Sequence, residues 1–156
     1  MAKQILISGM ILFFSVWLLV SGCNKTKAIK TDIVTGKVTF NGTPFAGATV
    51  NFTPKVGASG NPAYAVTAED GTYKLQTLLG NPDAGTTPGE YVVTISRTEN
   101  APSGKKISDP DHPGKTLDEM RPKEVLPIKY KNTKTTPLTA TVVADQANTF
   151  DFELTN

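Results

Sequence analysis

Apolar and polar residues alternate one by one along seven short segments of this chain, and this pattern restricts its fold more than any other feature. The end of the chain shows it most clearly, because Phe150, Phe152 and Leu154 are separated by the acidic residues Asp151 and Glu153. Successive side chains of a β-strand point to opposite faces. The pattern is therefore typical of strands with one face on a core and the other in water.

The other six segments have the same spacing, which predicts their inward-facing residues. These are Val34, Val38 and Phe40; Ala48, Val50 and Phe52; Tyr64, Val66 and Ala68; Tyr73 and Leu75; Tyr91, Val93 and Ile95; Leu138, Ala140 and Val142. Asn41-Gly42 and Asp70-Gly71 lie between segments and favour tight turns, because glycine adopts positive φ angles without steric cost. We therefore expect an all-β fold, a single seven-stranded β-sandwich.

The amino-terminal segment has the features of an export signal. Lys3 precedes an apolar run over residues 5 to 20, and the small residues Ser21 and Gly22 come just before Cys23. A positive start, an apolar stretch and small residues before a cleavage point are typical of secretory signals. An uncleaved membrane span is the alternative, but it needs about 20 apolar residues, more than this run provides.

The stretch "LVSGC" resembles the lipobox of bacterial lipoprotein signal peptides. The resemblance implies cleavage before Cys23, the only cysteine, and a diacylglycerol on its thiol, which supplies the two acyl chains that stable anchoring requires. We expect a signal peptide over residues 1–22, a lipidated tether over 23–32 and one domain over 33–156. The lipid would hold the protein on the cell membrane or outer membrane, facing the periplasm or the exterior.

Three further stretches, "VTGKVTFNGTPFAGATVNFTP", "AVTAEDGTYKL" and "GEYVVTI", resemble the carboxypeptidase regulatory-like, or transthyretin-like, β-sandwich modules. The motif positions are Gly42, Pro44, Gly47, Ala48, Val50, Asp70, Gly71, Tyr73, Gly89 and Tyr91. The resemblance implies an Ig-like sandwich. It implies little about activity, because the glycines and prolines shape turns and the tyrosines face the core. Some transthyretin-like proteins are purine-pathway hydrolases, but their His and Arg set and their terminal Tyr-Arg-Gly-Ser are missing from this sequence.

Residues 98–125 break the alternation and predict a long loop. Four prolines interrupt the segment: Pro102, Pro110, Pro113 and Pro122. Within it, residues 116–121 predict one helical turn, because Thr116 and Glu119 have capping-box spacing and Pro122 would end the helix. A mobile loop of this length is either a contact surface or an inert insertion.

No set of residues in the sequence predicts catalysis or a metal site. His112 is the only histidine, and a lone histidine in a polar loop is typically solvated. Asp109, Asp111, Asp118 and Glu119 lie in the same segment, but their spacing matches no EF-hand and favours independent surface acids. We therefore expect no catalytic residues, no cofactor and no metal.

The sequence contains residues that occur in two other kinds of site. An internal isopeptide bond, as in related collagen-adhesin repeats, would join Lys37 to Asn148 with Glu90 as the nearest acid, but an ordinary exposed lysine is favoured. A sugar-binding platform would have to use Phe45 or Tyr130, because most other aromatic residues have the phase of core positions.

The charges of the chain are nearly balanced, with a net charge of +2, and no basic cluster suggests nucleic acid. The sequence predicts a membrane-anchored extracytoplasmic module, not an enzyme, with a binding or structural role. Its partner would be an unknown protein or a polysaccharide, and we expect a monomer. The alternative is a carbohydrate- or calcium-binding module of the cell envelope.

Overall fold

The computed structural model describes residues 30–77 and 85–156, which form two five-stranded sheets and a two-stranded ribbon. The strands are β1 Val34–Phe40, β2 Thr43–Pro44, β3 Thr49–Pro54, β4 Ala63–Val66, β5 Thr72–Lys74, β6 Gln76–Thr77, β7 Gly89–Ser96, β8 Thr98–Ser108, β9 Thr116–Glu124, β10 Thr139–Val142, β11 Asn148–Thr149 and β12 Phe152–Leu154. The helical structure of these residues is one 3₁₀ turn, Ile128–Tyr130. None of it is long and apolar enough to cross a bilayer.

The prediction of an all-β chain is confirmed, although the strand count differs from seven. All seven predicted strands are present, but two are divided: one into β5 and β6, the other into β11 and β12. Strands β2, β8 and β9 are additional.

Strand β1 is the centre of the first sheet. Strands β11 and β12 run parallel to it and pair with its two halves, and β5 and β2 pair with it in antiparallel orientation. The second sheet is antiparallel throughout, in the order β10-β7-β3-β4-β6.

The two sheets face each other across an aromatic core, an arrangement consistent with a β-sandwich. The ring of Phe52, from the second sheet, lies 5.7 Å from that of Tyr91, 6.0 Å from that of Phe150 and 6.3 Å from that of Phe152. Tyr73 stacks on Phe152 at 6.4 Å. The two five-stranded sheets are called the sandwich below.

The predicted inward faces are confirmed for most strands, with Phe40, Leu138 and Phe150 only partly buried. The prediction for β4 is wrong. Ala63 and Ala65 are buried there, whereas Tyr64 is half-buried and Val66 and Ala68 are exposed.

The pairing of β4 with β3 explains this register. Ala63 lies opposite Phe52 and Ala65 lies opposite Val50, both of which are fully buried. Directly opposed residues share a face of the sheet. Small alanines are therefore placed beside large inward partners. All four residues of β4 are apolar, so the sequence has no alternation of apolar and polar residues there that would predict which face is buried.

The long loop predicted over residues 98–125 is wrong, as is the helical turn over 116–121. Strands β8 and β9 form an antiparallel ribbon with a β-bulge between Pro102 and Lys106. Residues 109–115 connect the two strands.

The prolines do not interrupt this ribbon, because their nitrogens point away from the partner strand. The amide of Val125 donates to the carbonyl of Arg97 at 2.9 Å, which makes this a hydrogen-bonded pair. Hydrogen-bonded and non-hydrogen-bonded pairs alternate along an antiparallel ladder. Counted along their own strands, Pro122 and Pro102 each lie an odd number of residues from that pair. Both therefore occupy non-hydrogen-bonded positions, where the strand needs no backbone donor to its partner.

Candidate functional site

The most prominent surface feature is the ribbon itself, residues 98–124, which is called the arm below. Neither of its strands pairs with a strand of the sandwich. Nearly every residue of both strands is exposed, apart from the half-buried Ala101, Glu119 and Glu124. The arm therefore projects from the sandwich instead of covering its core.

Arg97 fixes the arm where it leaves the sandwich. Its guanidinium lies 5.2 Å from the centre of the Phe45 ring, donates to the carbonyl of Ala46 at 2.9 Å and pairs with Glu99. Its backbone amide donates to Glu124 Oε1 at 2.7 Å. This one residue connects the base of both arm strands to the core. The sequence does not predict this role, since one arginine after a strand has no diagnostic pattern.

The returning strand is fixed in a similar way. Lys131 Nζ lies 3.0 Å from Glu124 Oε2, and Leu126, just beyond the arm, is buried in the core. A base held from both strands defines the direction in which the arm leaves the sandwich.

Asp109 organises the tip of the arm. Its Oδ1 accepts the amide of Asp111 at 2.9 Å, its Oδ2 lies 3.0 Å from His112 Nδ1, and its own amide donates to the carbonyl of Lys115 at 3.0 Å. His112 is thus paired with a carboxylate at the exposed tip.

The four acids considered for calcium do not converge. Asp109 is used within the tip, Asp118 pairs with Lys106 at 2.8 Å, and Glu119 pairs with Arg121 at 2.8 Å. Over the described ranges 30–77 and 85–156, no three His, Cys, Asp or Glu side chains form a group that could hold a metal ion.

The register divides the side chains of the arm between two faces, since paired residues share a face and neighbours alternate. The first face consists of Glu99, Ala101 and Ile107 from β8 and Leu117, Glu119, Arg121 and Lys123 from β9. The second face carries the Lys106–Asp118 pair and Met120 opposite Pro102. Ile107 and Leu117, which are paired, are 41% and 47% exposed, and Met120 is 52% exposed. Both faces thus combine charge with exposed apolar surface.

The sugar platform and the isopeptide bond find no support in the geometry. Phe45 and Tyr130 are both buried, so neither ring offers an exposed face on which a sugar could stack. Asn148 lies opposite Val34 in the parallel pairing, three residues before Lys37 along β1.

The side chains of the proposed isopeptide site also have other partners. Asn148 donates to the carbonyls of Val143 and Gln146, both at 3.0 Å, and Glu90 pairs with Lys55 at 2.9 Å. The asparagine therefore orders the turn before β11.

A shallow groove of about 650 Å³ lies against the first sheet. Its polar lining consists of Thr35, Lys37, Thr72, Lys74, Thr149 and Asp151. Tyr73 also borders it, and burial, together with the charge of Asp151, raises the pKa of that hydroxyl well above its ordinary value. The opposite charges within the groove indicate no preference for an ion of either sign.

The described chain begins at the far side of the sandwich from the arm. Lys30 pairs with Asp145, whose amide donates to Asp32 Oδ1 at 2.8 Å, and Asp32 forms a bridge with Thr86. The lipidation site predicted at Cys23 lies outside the described residues.

Strand β7 connects these two ends. It begins at Gly89, shortly after Thr86, and ends at Ser96, next to the base of the arm. Eight residues of strand extend about 26 Å. The start of the described chain and the arm are therefore separated by the length of the sandwich.

No family model matches the chain, and no curated protein matches it. Among solved structures, a 9R-lipoxygenase from Cyanothece PCC8801 is similar with a TM-score of 0.39 and 16% sequence identity. The likeness covers 84% of this chain and 17% of the lipoxygenase chain. At that TM-score and identity, the likeness indicates neither a shared fold nor a shared activity.

Proposed function

We propose that this protein is a lipid-anchored extracytoplasmic module with a binding or structural role, in which the sandwich is a spacer and the arm is the contact surface. The observation that carries the proposal is the position of the arm at the opposite end of the sandwich from Lys30. An anchor attached through residues 23–32 would leave the arm as the part farthest from the membrane.

The charges of the arm favour a protein partner or a neutral polysaccharide over a polyanion. Residues 98–124 contain five basic side chains, at positions 105, 106, 115, 121 and 123, and six acidic ones, at positions 99, 109, 111, 118, 119 and 124. Such balance provides no attraction for nucleic acid or an acidic glycan. The proposed role involves no catalysis, cofactor or metal.

The proposal includes an Ig-like, transthyretin-like type for the sandwich, as in carboxypeptidase regulatory-like modules. Backbone geometry at the motif turns supports it. Gly42, Gly47 and Gly71 have φ angles of 79°, 65° and 80°, the left-handed region that those turns require.

Acylation is tested with labelled palmitate in cells that express the full chain. The unmodified protein should take up label and fractionate with membranes. Cys23→Ser should remove the label and leave an uncleaved precursor. Equal labelling of the two proteins would refute the lipid anchor.

The contact surface is tested by placing a photo-crosslinking amino acid on the arm in intact cells. Incorporation at Leu117 should give a cross-linked adduct. Incorporation at Val56, which is fully exposed on the sandwich, is the matched control and should give none. An adduct at Val56 alone would show that the contact surface lies elsewhere.

A further inference from the structure

We propose that two copies of this protein, anchored in one membrane, pair through the first faces of their arms, side by side and in parallel. The pairing rests on the proposed anchoring, and it identifies the partner of the arm as a second copy of the chain. The two copies would be related by a two-fold axis that runs along the arm.

The register of the arm makes its first face complementary to itself. A half-turn about an axis parallel to the ribbon places β8 of one copy against β9 of the other at the same height. Each side chain of one copy then faces, in the other copy, the same residue that lies opposite it within its own ribbon. Glu99 opposes Lys123, and Ile107 opposes Leu117. The half-turn therefore creates each of these contacts twice, as two-fold interfaces require.

The individual side chains are suited to such contacts. Within the part of the chain that the structure describes, Lys123 forms no ion pair, so its ammonium is available to a second copy. There it would meet Glu99, which pairs with Arg97 in its own copy and would then lie between two basic groups. Ile107 and Leu117 remain about half exposed in one copy and would cover each other across the axis. An isolated two-stranded ribbon is marginally stable in water, and a second layer would stabilise it.

Pairing through faces is favoured over continuation of the sheet from copy to copy. Pro102 and Pro122 direct their nitrogens to the outer edges of the ribbon, where they remove donors that an added strand would need. The second face is a weaker candidate, because its charged residues Lys106, Asp118 and Glu124 all form ion pairs within one copy, whereas Lys123 of the first face forms none among the described residues.

The size of the first face predicts a weak interface. It presents seven side chains per copy, whereas stable interfaces use about 20–30 residues on each side. The protein should therefore be a monomer when it is released into solution. Confinement to a membrane raises the effective concentration of the second copy, and copies anchored at the end opposite their arms present those arms in parallel.

The test couples the chain from Cys23 onward to vesicles through a maleimide lipid that reacts with this cysteine. Donor and acceptor dyes are attached at the carboxyl terminus, and energy transfer is compared with that of a random surface distribution. The unmodified protein should exceed the random value on vesicles and show no transfer in solution. Transfer at the random value on vesicles would overturn the pairing.

Charge reversal separates an effect between copies from one within a single arm. Glu99→Lys alone and Lys123→Glu alone should each weaken pairing about tenfold, because two surface contacts are lost and replaced by repulsion. Vesicles that carry both variants together should recover energy transfer. Between copies, the introduced lysine of one variant then faces the introduced glutamate of the other, whereas within each ribbon the two opposed positions still carry like charges. Lys134→Glu, an exposed reversal outside the arm, should change nothing.

Failure of the mixed vesicles to recover would show that the substitutions act within one arm, and the pairing would be wrong. Chemical coupling replaces acylation in this assay, so its outcome is independent of the palmitate experiment. A protein that takes up palmitate but shows only random transfer would retain its anchor and lose the proposed pairing.

Discussion

Gly36 lies where three parts of the first sheet come closest together. A Cβ atom at this position would be 1.9 Å from the carbonyl oxygen of Phe150 and 2.8 Å from the hydroxyl of Tyr73. That hydroxyl donates to the same carbonyl at 2.7 Å. The missing side chain of the glycine therefore permits a hydrogen bond that connects β5 to the last strands of the chain.

Gly36→Ala should lower the free energy of unfolding by about 3 kcal/mol or more, because the added methyl group meets rigid backbone. Gly42→Ala is the comparison: nothing lies within 4 Å of its Cβ position and only its φ of +79° is unfavourable. It should cost about 1 kcal/mol. Urea unfolding measures both, and equal losses would contradict the close approach at Gly36.

The last strand offers a second test at the residue scale. Phe152→Ala should destabilise by about 3–5 kcal/mol, because it empties a large buried site. Asp151→Ala should cost about 1 kcal/mol, because its Oδ1 accepts the amide of Lys37 at 2.8 Å where the parallel ladder is interrupted. Glu153→Ala should remain within about 0.5 kcal/mol. Thermal melts that gave three equal values would contradict the observed register.

At the scale of elements, the arm combines a fixed base with freely exposed strands. Arg97 and Glu124 join the two strands at the point where they leave the core, and the contact with Phe45 adds packing to that polar junction. The exposed strands then hold their register through cross-strand pairs such as Lys106 with Asp118. The direction of the arm is therefore determined by its first and last residues.

Arg97→Ala should loosen the arm at its base, since it removes the bond to Ala46 and the contact with Phe45. Amide hydrogen exchange at Val125, whose amide donates to Arg97, should become at least about tenfold faster, as expected for a loss of about 1.4 kcal/mol. Arg121→Ala removes an arginine from the exposed part of the same arm and serves as the control. If both variants exchanged alike at Val125, the base would not depend on Arg97.

The sequence predicted the sandwich strands more reliably than the arm, for physical reasons. Alternation of apolar and polar residues identifies a strand only where one of its faces is buried. Both faces of the arm are exposed, so burial does not require an apolar residue at every second position there. Prolines argue against strands in general, yet Pro122 is compatible with one because its nitrogen points outward. The register of β4 was missed because all its residues are apolar, and Arg97 was missed because its partners are distant in sequence.

At the scale of the whole molecule, the structure is an elongated body with the start of the described chain at one end and an extended ribbon at the other. The nine residues of β9 extend about 30 Å beyond a sandwich whose strand β7 extends about 26 Å. This length is what makes the arm the part of the molecule best placed to reach another surface.

Replacement of residues 99–123 by a short glycine linker should leave the melting temperature of the sandwich within a few degrees of the original, because neither arm strand pairs with it. Small-angle scattering on the chain from Cys23 onward should show a radius of gyration of about 13 Å for the shortened protein and a clearly larger value for the intact one. Collapse of the sandwich, or equal radii, would show that the arm packs on the core.

The parallel pairing of β1 with β12 has a consequence for the order of events in the life of the chain. The amide of Lys37 bonds to Asp151, 114 residues away. Strand β1 can pair with β2 and β5 earlier, but its parallel partners β11 and β12 are present only after the last strands have been made. Loop closure over such a distance makes this contact a late and slow step of folding. A chain whose first sheet is completed only by its last strands cannot finish folding while it is synthesised, and an incompletely folded polypeptide can be threaded through a narrow channel.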